Sequence, residues 1–244
     1  IVFRDCPTAI KSLFWENASN ALKNETAVSE DVYEHFDLEF YEELKQVGLR
    51  AQSDKNCFRY YHFFGAHPPY SINSDVKAVS EEETSLIEQC VGEFKIVFEF
   101  LKQLQELNIY KDSLIIVTAD HGVVSHQGHL EEPRTPIMFV KERGVDSDEP
   151  FKVSHAPVSH EDIWNTIRAE FIDEYKDIEK FSDIDEKSDR KRYFHATHVD
   201  ETGVEKFLLT YEIVNDANDI NNWTIVEEND MLHPSYHDPY PDGE

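Results

Sequence analysis

The sequence predicts an α/β fold in which helices sandwich a mainly parallel sheet, followed by a small antiparallel β subdomain at the C-terminus. Three observations support this fold. Apolar segments typical of buried strands alternate with amphipathic segments typical of helices, the apolar segment at 113–118 shows no polar alternation, and three short strand-like segments follow a charged stretch near the end. We therefore expect an α/β domain over residues 1–172, and a charged loop, the small subdomain and a tail over residues 173–244.

The N-terminal part predicts an acidic helical region and then an aromatic strand. Apolar side chains recur at four-residue spacing in the helical region: Val32, Phe36, Phe40 and Leu44. Gly48 is a plausible stop for this helix. The segment CFRYYHFFGAHPPY, residues 57–70, then begins as a strand and breaks at Gly65 and the following proline pair.

The clearest predicted helix covers residues 81–107. Six side chains fall on one face of it: Leu86, Cys90, Phe94, Val97, Leu101 and Leu104. The turn NIYKDS separates this helix from the apolar strand SLIIVTAD, which we expect to be covered on both faces.

The remaining elements continue the alternation. TPIMFVKE predicts a third apolar strand, and VSHEDIWNTIRAEF predicts a further helix. Residues 173–192 are dominated by charge and predict an exposed loop or irregular helix. Short strands follow, in YFHATHV, VEKFLLTYEIV and NWTIVEE, and these predict the antiparallel subdomain.

The strongly acidic composition limits the partners of the chain. Its 244 residues include 50 acidic and 23 basic side chains, for a net charge of −27. Nucleic-acid affinity depends mostly on clustered Lys and Arg, so we expect no nucleic-acid partner.

No stretch approaches the ~20 apolar residues of a membrane span. Because Ile1 begins no signal peptide and the chain lacks an initial Met, we expect membrane contact only through N-terminal segments missing here.

The three cysteines predict neither a disulfide framework nor a zinc cluster. Cys6, Cys57 and Cys90 are few and widely spaced, so at most one bridge can form. We expect reduced thiols in the core.

Polar side chains with metal-binding chemistry follow two of the predicted strands. Asp120 and His121 come directly after LIIVTA, with Gly122 allowing a tight turn, and His67 lies just beyond FRYYHFF. The carboxyl ends of parallel strands meet at one edge, where a carboxylate and imidazoles suit Zn or Mn. The alternative is structural, because an Asp-His-Gly sequence after a strand is often a turn in which Asp accepts backbone hydrogen bonds.

Several segments together resemble the sulfatase-like branch of the alkaline phosphatase superfamily. SLIIVTADHG is similar to the metal-binding strand end of that branch, and FFGAHPPY resembles its His-x-Pro-aromatic turn. RTPIMFV and HAPVSHEDIWNTI resemble the strand and helix that follow. The resemblance covers about residues 57–170 in the family's order, so residues 1–172 are identified as the C-terminal half of a sulfatase-like catalytic domain.

This resemblance implies an extracytoplasmic enzyme that transfers or hydrolyses phosphoryl or sulfuryl groups. It assigns Asp120 and His121 as ligands of a divalent metal ion (Zn, Mn, Ca or Mg), and His67 to binding the transferred group or protonating its leaving oxygen. His129 matches a further histidine near the site. Gly65, two residues before His67, looks more like the phosphoglycerol and phosphoethanolamine transferases, which are membrane-anchored. The implied substrates are small-molecule, lipid head-group or cell-envelope glycan esters, with phosphate and sulfate both open.

The resemblance implies that the nucleophile of the family lies in an N-terminal half, which we expect this chain not to contain. Cys6 lacks the context of the sulfatase cysteine, so no nucleophile is assigned here. We expect the parent protein to be an enzyme and this chain alone to be inactive. The alternative is a non-catalytic binding or accessory domain that retains the fold.

Overall fold

A computed structural model describes residues 36–51, 57–122, 133–199 and 205–230 of the chain. In chain order the helices and strands are α1 (Phe36–Gln46), α2 (Leu86–Glu106), β1 (Ile115–Thr118), β2 (Met138–Lys141), α3 (His160–Phe171), β3 (Arg192–Val199), β4 (Glu205–Ile213) and β5 (Trp223–Asp230). The chain divides into two compact units. The first unit comprises Ile1–Ser113 and Arg143–Asp148, and the second comprises Leu114–Glu142 and Glu149–Glu244.

The core of the first unit forms around three buried aliphatic side chains. Ile72, Val76 and Ile96 are buried together, and partly buried side chains pack around them: Leu38, Phe40, Tyr41 and Phe63. α1 confirms the predicted helix within the described residues. Gly48 has a φ of 71°, in the left-handed region that ends helices, and this confirms the predicted stop.

α2 forms where the sequence predicts a helix, but it buries a different face. Ser85 caps it by accepting a hydrogen bond from the N–H of Glu88 at 3.3 Å. The buried positions are Gln89, Gly92, Ile96, Gln103 and Leu104. Leu104 belongs to the predicted apolar face, whereas Leu86 at its other end is 38% exposed. The face is rotated because two glutamines turn inward to bond loop backbone, which a hydrophobic pattern does not register.

Residues 57–64, which the sequence predicts as a strand, have irregular backbone instead. Phe58 is 43% exposed and Tyr60 is 56% exposed. The β-propensity of aromatic residues describes how well they fit a pleated, paired surface. Within the described residues no strand pairs with this segment, so the propensity alone does not make it a strand.

β1 and β2 form the predicted apolar strands of the second unit, but they run antiparallel. Ile116 pairs with Val140, and Thr118 pairs with Met138. All strand pairs in the described part of the chain are antiparallel, so the mainly parallel sheet is not observed there. An uninterrupted apolar run predicts cover on both faces of a strand and carries no information about the direction of the neighbouring strand. Among the described residues β1 is only half-buried, and Thr118 is exposed.

α3 confirms the predicted helix, and the charged segment after it is mostly exposed, as predicted, and is attached to α3 by hydrogen bonds. Asp162 is 1% exposed and receives both terminal nitrogens of Arg190 at 2.7 Å. The Thr166 hydroxyl accepts the N–H of Phe181 at 3.1 Å. Since these contacts link residues far apart in sequence, charge composition predicts the exposure of the segment but not its attachment to α3.

The predicted antiparallel strands near the C-terminus are confirmed, and they form a three-stranded sheet with the order β3–β4–β5. Its core consists of Leu209, Tyr211, Ile213 and Trp223. The rings of Phe194 and Trp223 lie 5.5 Å apart in an edge-to-face arrangement. The Trp223 indole N–H donates to the carbonyl of Ala217 at 2.9 Å, which satisfies its polar atom inside the core.

Cys57 and Cys90 are free thiols, as the sequence predicts. Cys57 is exposed and Cys90 is half-buried, so the expectation that both lie in the core is wrong. Cys6 lies outside the described residues. In the part of the chain that the structure describes, no helix is long and apolar enough to cross a bilayer.

Candidate functional site

The carboxyl end of β1 carries Asp120 and His121 on a backbone that two hydrogen bonds tie to the segment before β2. The Thr118 hydroxyl donates to the carbonyl of Ile137 at 2.8 Å, which ties the end of β1 to the segment before β2. The N–H of Gly122 donates to the carbonyl of Arg134 at 3.1 Å. A Cβ at Gly122 would lie 2.7 Å from the carbonyl carbon of Arg134, so this approach requires glycine.

His160, the first residue of α3, contacts the same strand end and was not predicted as a site residue. Its Nε2 lies 2.9 Å from the carbonyl oxygen of Ala119, immediately before Asp120. A carbonyl only accepts, so His160 carries a proton on Nε2 and donates. His160 lies in the segment HAPVSHEDIW, but no local sequence pattern indicates that its imidazole reaches β1.

The His121 ring has one nitrogen engaged by backbone and one that faces Asp120. Nδ1 lies 2.6 Å from the carbonyl oxygen of Gly122, and this contact places a proton on Nδ1. Nε2 therefore has a lone pair in the neutral ring, and it lies 3.6 Å from Asp120 Oδ2. Metal-binding histidines usually donate their other ring N–H to a carbonyl or carboxylate in this way.

Asp120 uses its two oxygens differently. Oδ1 accepts the N–H of His121 at 2.9 Å. This is the backbone hydrogen bond expected if Asp-His-Gly is only a turn after the strand. Oδ2 is the oxygen beside His121 Nε2. Two ligands at ~2.1 Å from one tetrahedral ion are about 3.4 Å apart, so the 3.6 Å between Oδ2 and Nε2 suits a shared ion. The pair is open to solvent, since the side chains of Asp120 and His121 are 75% and 48% exposed.

The donor set at this strand end fits two ligands of a divalent ion and is incomplete by itself. A carboxylate oxygen with an imidazole nitrogen is chemically suited to Zn or Mn. Among residues 36–51, 57–122, 133–199 and 205–230, no group of three His, Cys, Asp or Glu side chains is arranged to hold a metal. His129, expected as a further site residue, lies outside the described residues.

His67 lies in the first unit, on a turn whose backbone is tightly held. Gly65 has a φ of 64°, a left-handed conformation that favours glycine. The exposed His67 ring packs edge-on against Phe64, with centroids 5.0 Å apart. Its Nδ1 contacts the carbonyl oxygen of Pro68, so Nδ1 carries a proton and Nε2 is the ring atom left for other contacts. The predicted convergence of His67 with Asp120 and His121 stays a prediction.

Two carboxyl groups from α1 and α2 meet behind this turn. Asp37 accepts the N–H groups of Phe64 at 3.1 Å and Gly65 at 2.9 Å, and it also bonds Glu93. Burial, together with the charge of Asp37, raises the pKa of Glu93 from its ordinary value of 4.5 to about 8. Since Asp37 receives two N–H donors, the proton of the pair resides on Glu93.

Comparison with known proteins adds one positive finding. The sequence model of the sulfatase family matches residues 8–169, which is well over half of the 244 residues. Searches of curated proteins and of solved structures return no match.

Proposed function

This chain belongs to the sulfatase family, and from that membership we propose that it forms part of a metal-dependent transferase or hydrolase of phosphoryl or sulfuryl esters. The family implies an alkaline phosphatase-like α/β fold. Its members generally use divalent metal ions, and sulfatase-like domains are typically extracytoplasmic. We further propose phospholipid head groups or cell-envelope glycan esters as substrates, because the Gly65-Ala66-His67 sequence resembles that of the phosphoglycerol and phosphoethanolamine transferases.

The observation that carries the proposal is the pairing of Asp120 Oδ2 with His121 Nε2 at 3.6 Å. The Nδ1 proton of His121 is held by the Gly122 carbonyl, which presents the Nε2 lone pair for coordination. The Thr118 and Gly122 hydrogen bonds keep this strand end in place. A rigid base of this kind supports the ligand geometry that a bound ion requires.

The roles of the residues follow from their atoms. A bound divalent ion supplies Lewis-acid stabilisation of charge on the transferring group. Asp120 and His121 would hold that ion. His67, with its Nδ1 proton on the Pro68 carbonyl, has Nε2 for the substrate. In the charged ring, the Nε2–H donates to an anionic oxygen or gives its proton to the leaving oxygen.

The competing function is a binding or accessory domain that keeps the fold and the ion but performs no transfer. Both functions include metal binding, but only the enzyme turns over substrate. Assays with phosphodiester and sulfate-ester substrates under Zn, Mn, Ca and Mg therefore separate them, on this chain and on a version extended by any coding sequence upstream of Ile1. Turnover lost in Asp120→Ala supports the enzyme, whereas inactivity of the extended protein with every metal supports the binding domain.

Metal binding is tested separately by NMR with paramagnetic Mn²⁺. The backbone amides of Ala119, Asp120 and His121 should broaden first as Mn²⁺ is added, and Asp120→Asn or His121→Ala should abolish this selectivity. The net charge of −27 attracts cations over the whole surface, so a control is needed. Asp75→Asn removes an exposed carboxylate in the first unit and should leave the broadening unchanged. Uniform broadening in the wild-type chain would contradict the proposed site.

A further inference from the structure

We propose that Gln89 of α2 is a positioning residue that fixes the backbone carrying His67. The inference rests on the proposed role of His67 in contacting the transferred group. Gln89 is buried and uncharged, and its place in the helix pattern does not indicate a role in positioning the turn of His67.

The side chain of Gln89 binds four backbone groups on two sides of the turn. Its Oε1 accepts the N–H groups of Ser71 at 2.7 Å and Ile72 at 3.1 Å. Its Nε2 donates to the carbonyl oxygens of Gly65 at 2.5 Å and His67 at 3.4 Å. The backbone on the two sides of the proline pair is therefore joined through one carboxamide.

The burial of Gln89 makes this arrangement specific to a carboxamide. The side chain is 1% exposed, so water cannot replace a lost partner. The site needs an acceptor for two N–H groups and a donor for two carbonyls, and the carboxamide supplies both. The same pattern determines the orientation of the amide, because its oxygen faces only donors and its nitrogen faces only acceptors.

Asp37 holds the other end of the same turn. It is 3% exposed and accepts the N–H groups of Phe64 and Gly65. Gly65 is thus bonded through its N–H by α1 and through its carbonyl by α2. The peptide groups on both sides of Gly65 are therefore fixed. The backbone that carries the His67 ring has little conformational freedom as a result.

Gln103 provides a matched control on the same helix. It is also a buried glutamine, 9% exposed, whose Oε1 accepts the N–H of Leu49 at 2.8 Å. Its Nε2 donates to the carbonyl of Leu44 at 2.9 Å. Gln103→Met therefore removes a loop-bonding carboxamide of the same kind without touching the turn at 64–67.

The experiment compares Gln89→Met and Gln103→Met in the full chain by NMR. The imidazole Cε1–H signal of His67 and the amide exchange rates of Phe64 and Gly65 are measured at about pH 7, near the ordinary range of histidine titration. We expect both variants to lower thermal stability. Gln89→Met alone should shift the His67 signal and accelerate exchange at Phe64 and Gly65.

A milder variant covers the case in which Gln89→Met does not fold. Gln89→Glu retains the oxygen that faces Ser71 and Ile72 but removes Nε2, which bonds the Gly65 and His67 carbonyls. It should shift the His67 signal in the same direction. An unchanged His67 signal in a folded Gln89 variant, or an equal change in Gln103→Met, overturns the proposal.

Binding of inorganic phosphate separates this inference from the proposed function. At about pH 5.5, where imidazoles are ordinarily charged, Gln89→Met and His67→Ala should each weaken phosphate binding about fivefold, the loss of one exposed ion pair. If His67→Ala leaves phosphate affinity unchanged, the proposed role of His67 fails. In that case the His67 signal and the amide exchange still decide whether Gln89 positions the turn.

Discussion

Asp37 and Glu93 form a hydrogen-bonded carboxyl pair between α1 and α2, behind the amides of Phe64 and Gly65. Glu93 Oε1 is buried and has no hydrogen-bond partner among the described residues. The charge of His62 acts to lower the pKa of Asp37, and the charge of Glu93 acts to raise the pKa of Cys90, so the pair is not isolated from other titratable groups. One proton on Glu93 makes the arrangement compatible with burial, and its removal places two negative charges side by side.

This pair predicts that the first unit loses stability as pH rises. The folded pKa of Glu93 is about 8 and its ordinary value is 4.5, so between these values the folded state binds the proton and the unfolded state does not. The free energy of unfolding therefore falls as pH rises through this window and levels off above about pH 8. Glu93→Gln keeps a donor for Asp37 and should flatten the dependence. Amide exchange in α2 at several pH values measures this dependence of the free energy of unfolding on pH.

The control for this experiment is Glu88→Gln, which changes an exposed carboxylate on the same helix. It should keep the wild-type dependence on pH. If the stability of the wild-type chain is constant between about pH 5 and pH 8, Glu93 is ionised in the folded state and the assignment of the proton is wrong.

Arg190→Met should destabilise the second unit strongly. Arg190 makes a bidentate pair with the carboxylate of Asp162, whose side chain is 1% exposed. Removing the guanidinium leaves a buried charge without its cation, and such losses cost about 3–5 kcal/mol. Lys191→Met is the matched control, because the partner of Lys191 is the carboxylate of Glu212 and the lysine side chain is 59% exposed. We expect a loss below about 1 kcal/mol there. Urea unfolding of both variants provides the comparison.

Gly92→Ala should destabilise the first unit, although alanine normally favours a helix by about 1 kcal/mol over glycine. A Cβ at Gly92 would lie 2.5 Å from the carbonyl oxygen of Asn73 and 3.1 Å from Ile72 Cγ2. Backbone must move to admit the methyl group, which costs about 1–3 kcal/mol and outweighs the propensity gain. Gln105→Ala, at an exposed position of α2, should change stability by less than about 0.5 kcal/mol. Stabilisation by Gly92→Ala would show that α2 and the Asn73 loop do not pack this closely.

Metal addition should stabilise the second unit through Asp120 and His121. An ion that binds only the folded state at about 100 times its dissociation constant contributes about 2.7 kcal/mol. Thermal unfolding with Zn or Mn, followed by excess EDTA, should show a rise in Tm and its reversal. His121→Ala should remove the rise, while His195→Ala, which changes an exposed histidine of β3, should retain it. A rise that persists in His121→Ala places the ion elsewhere.

The sequence by itself determined the local elements and the residues with reactive chemistry. Apolar side chains on one face located α1 and α2, and the segment VSHEDIWNTIRAEF located α3. Asp120 and His121 were identifiable because they follow an uninterrupted apolar run. These features depend on hydrogen bonding and burial within a short stretch of chain, which periodicity reports directly.

Tertiary structure decided which groups meet. It gave 57–64 an irregular backbone despite its strand propensity, made β1 and β2 antiparallel, and turned Gln89 inward to the backbone around His67. It also brought His160 to Ala119 and Arg190 to Asp162. Each of these contacts joins residues far apart in the chain, and a polar side chain enters the interior only where a distant partner satisfies it. A local sequence pattern does not identify that distant partner, so only the tertiary structure shows these contacts.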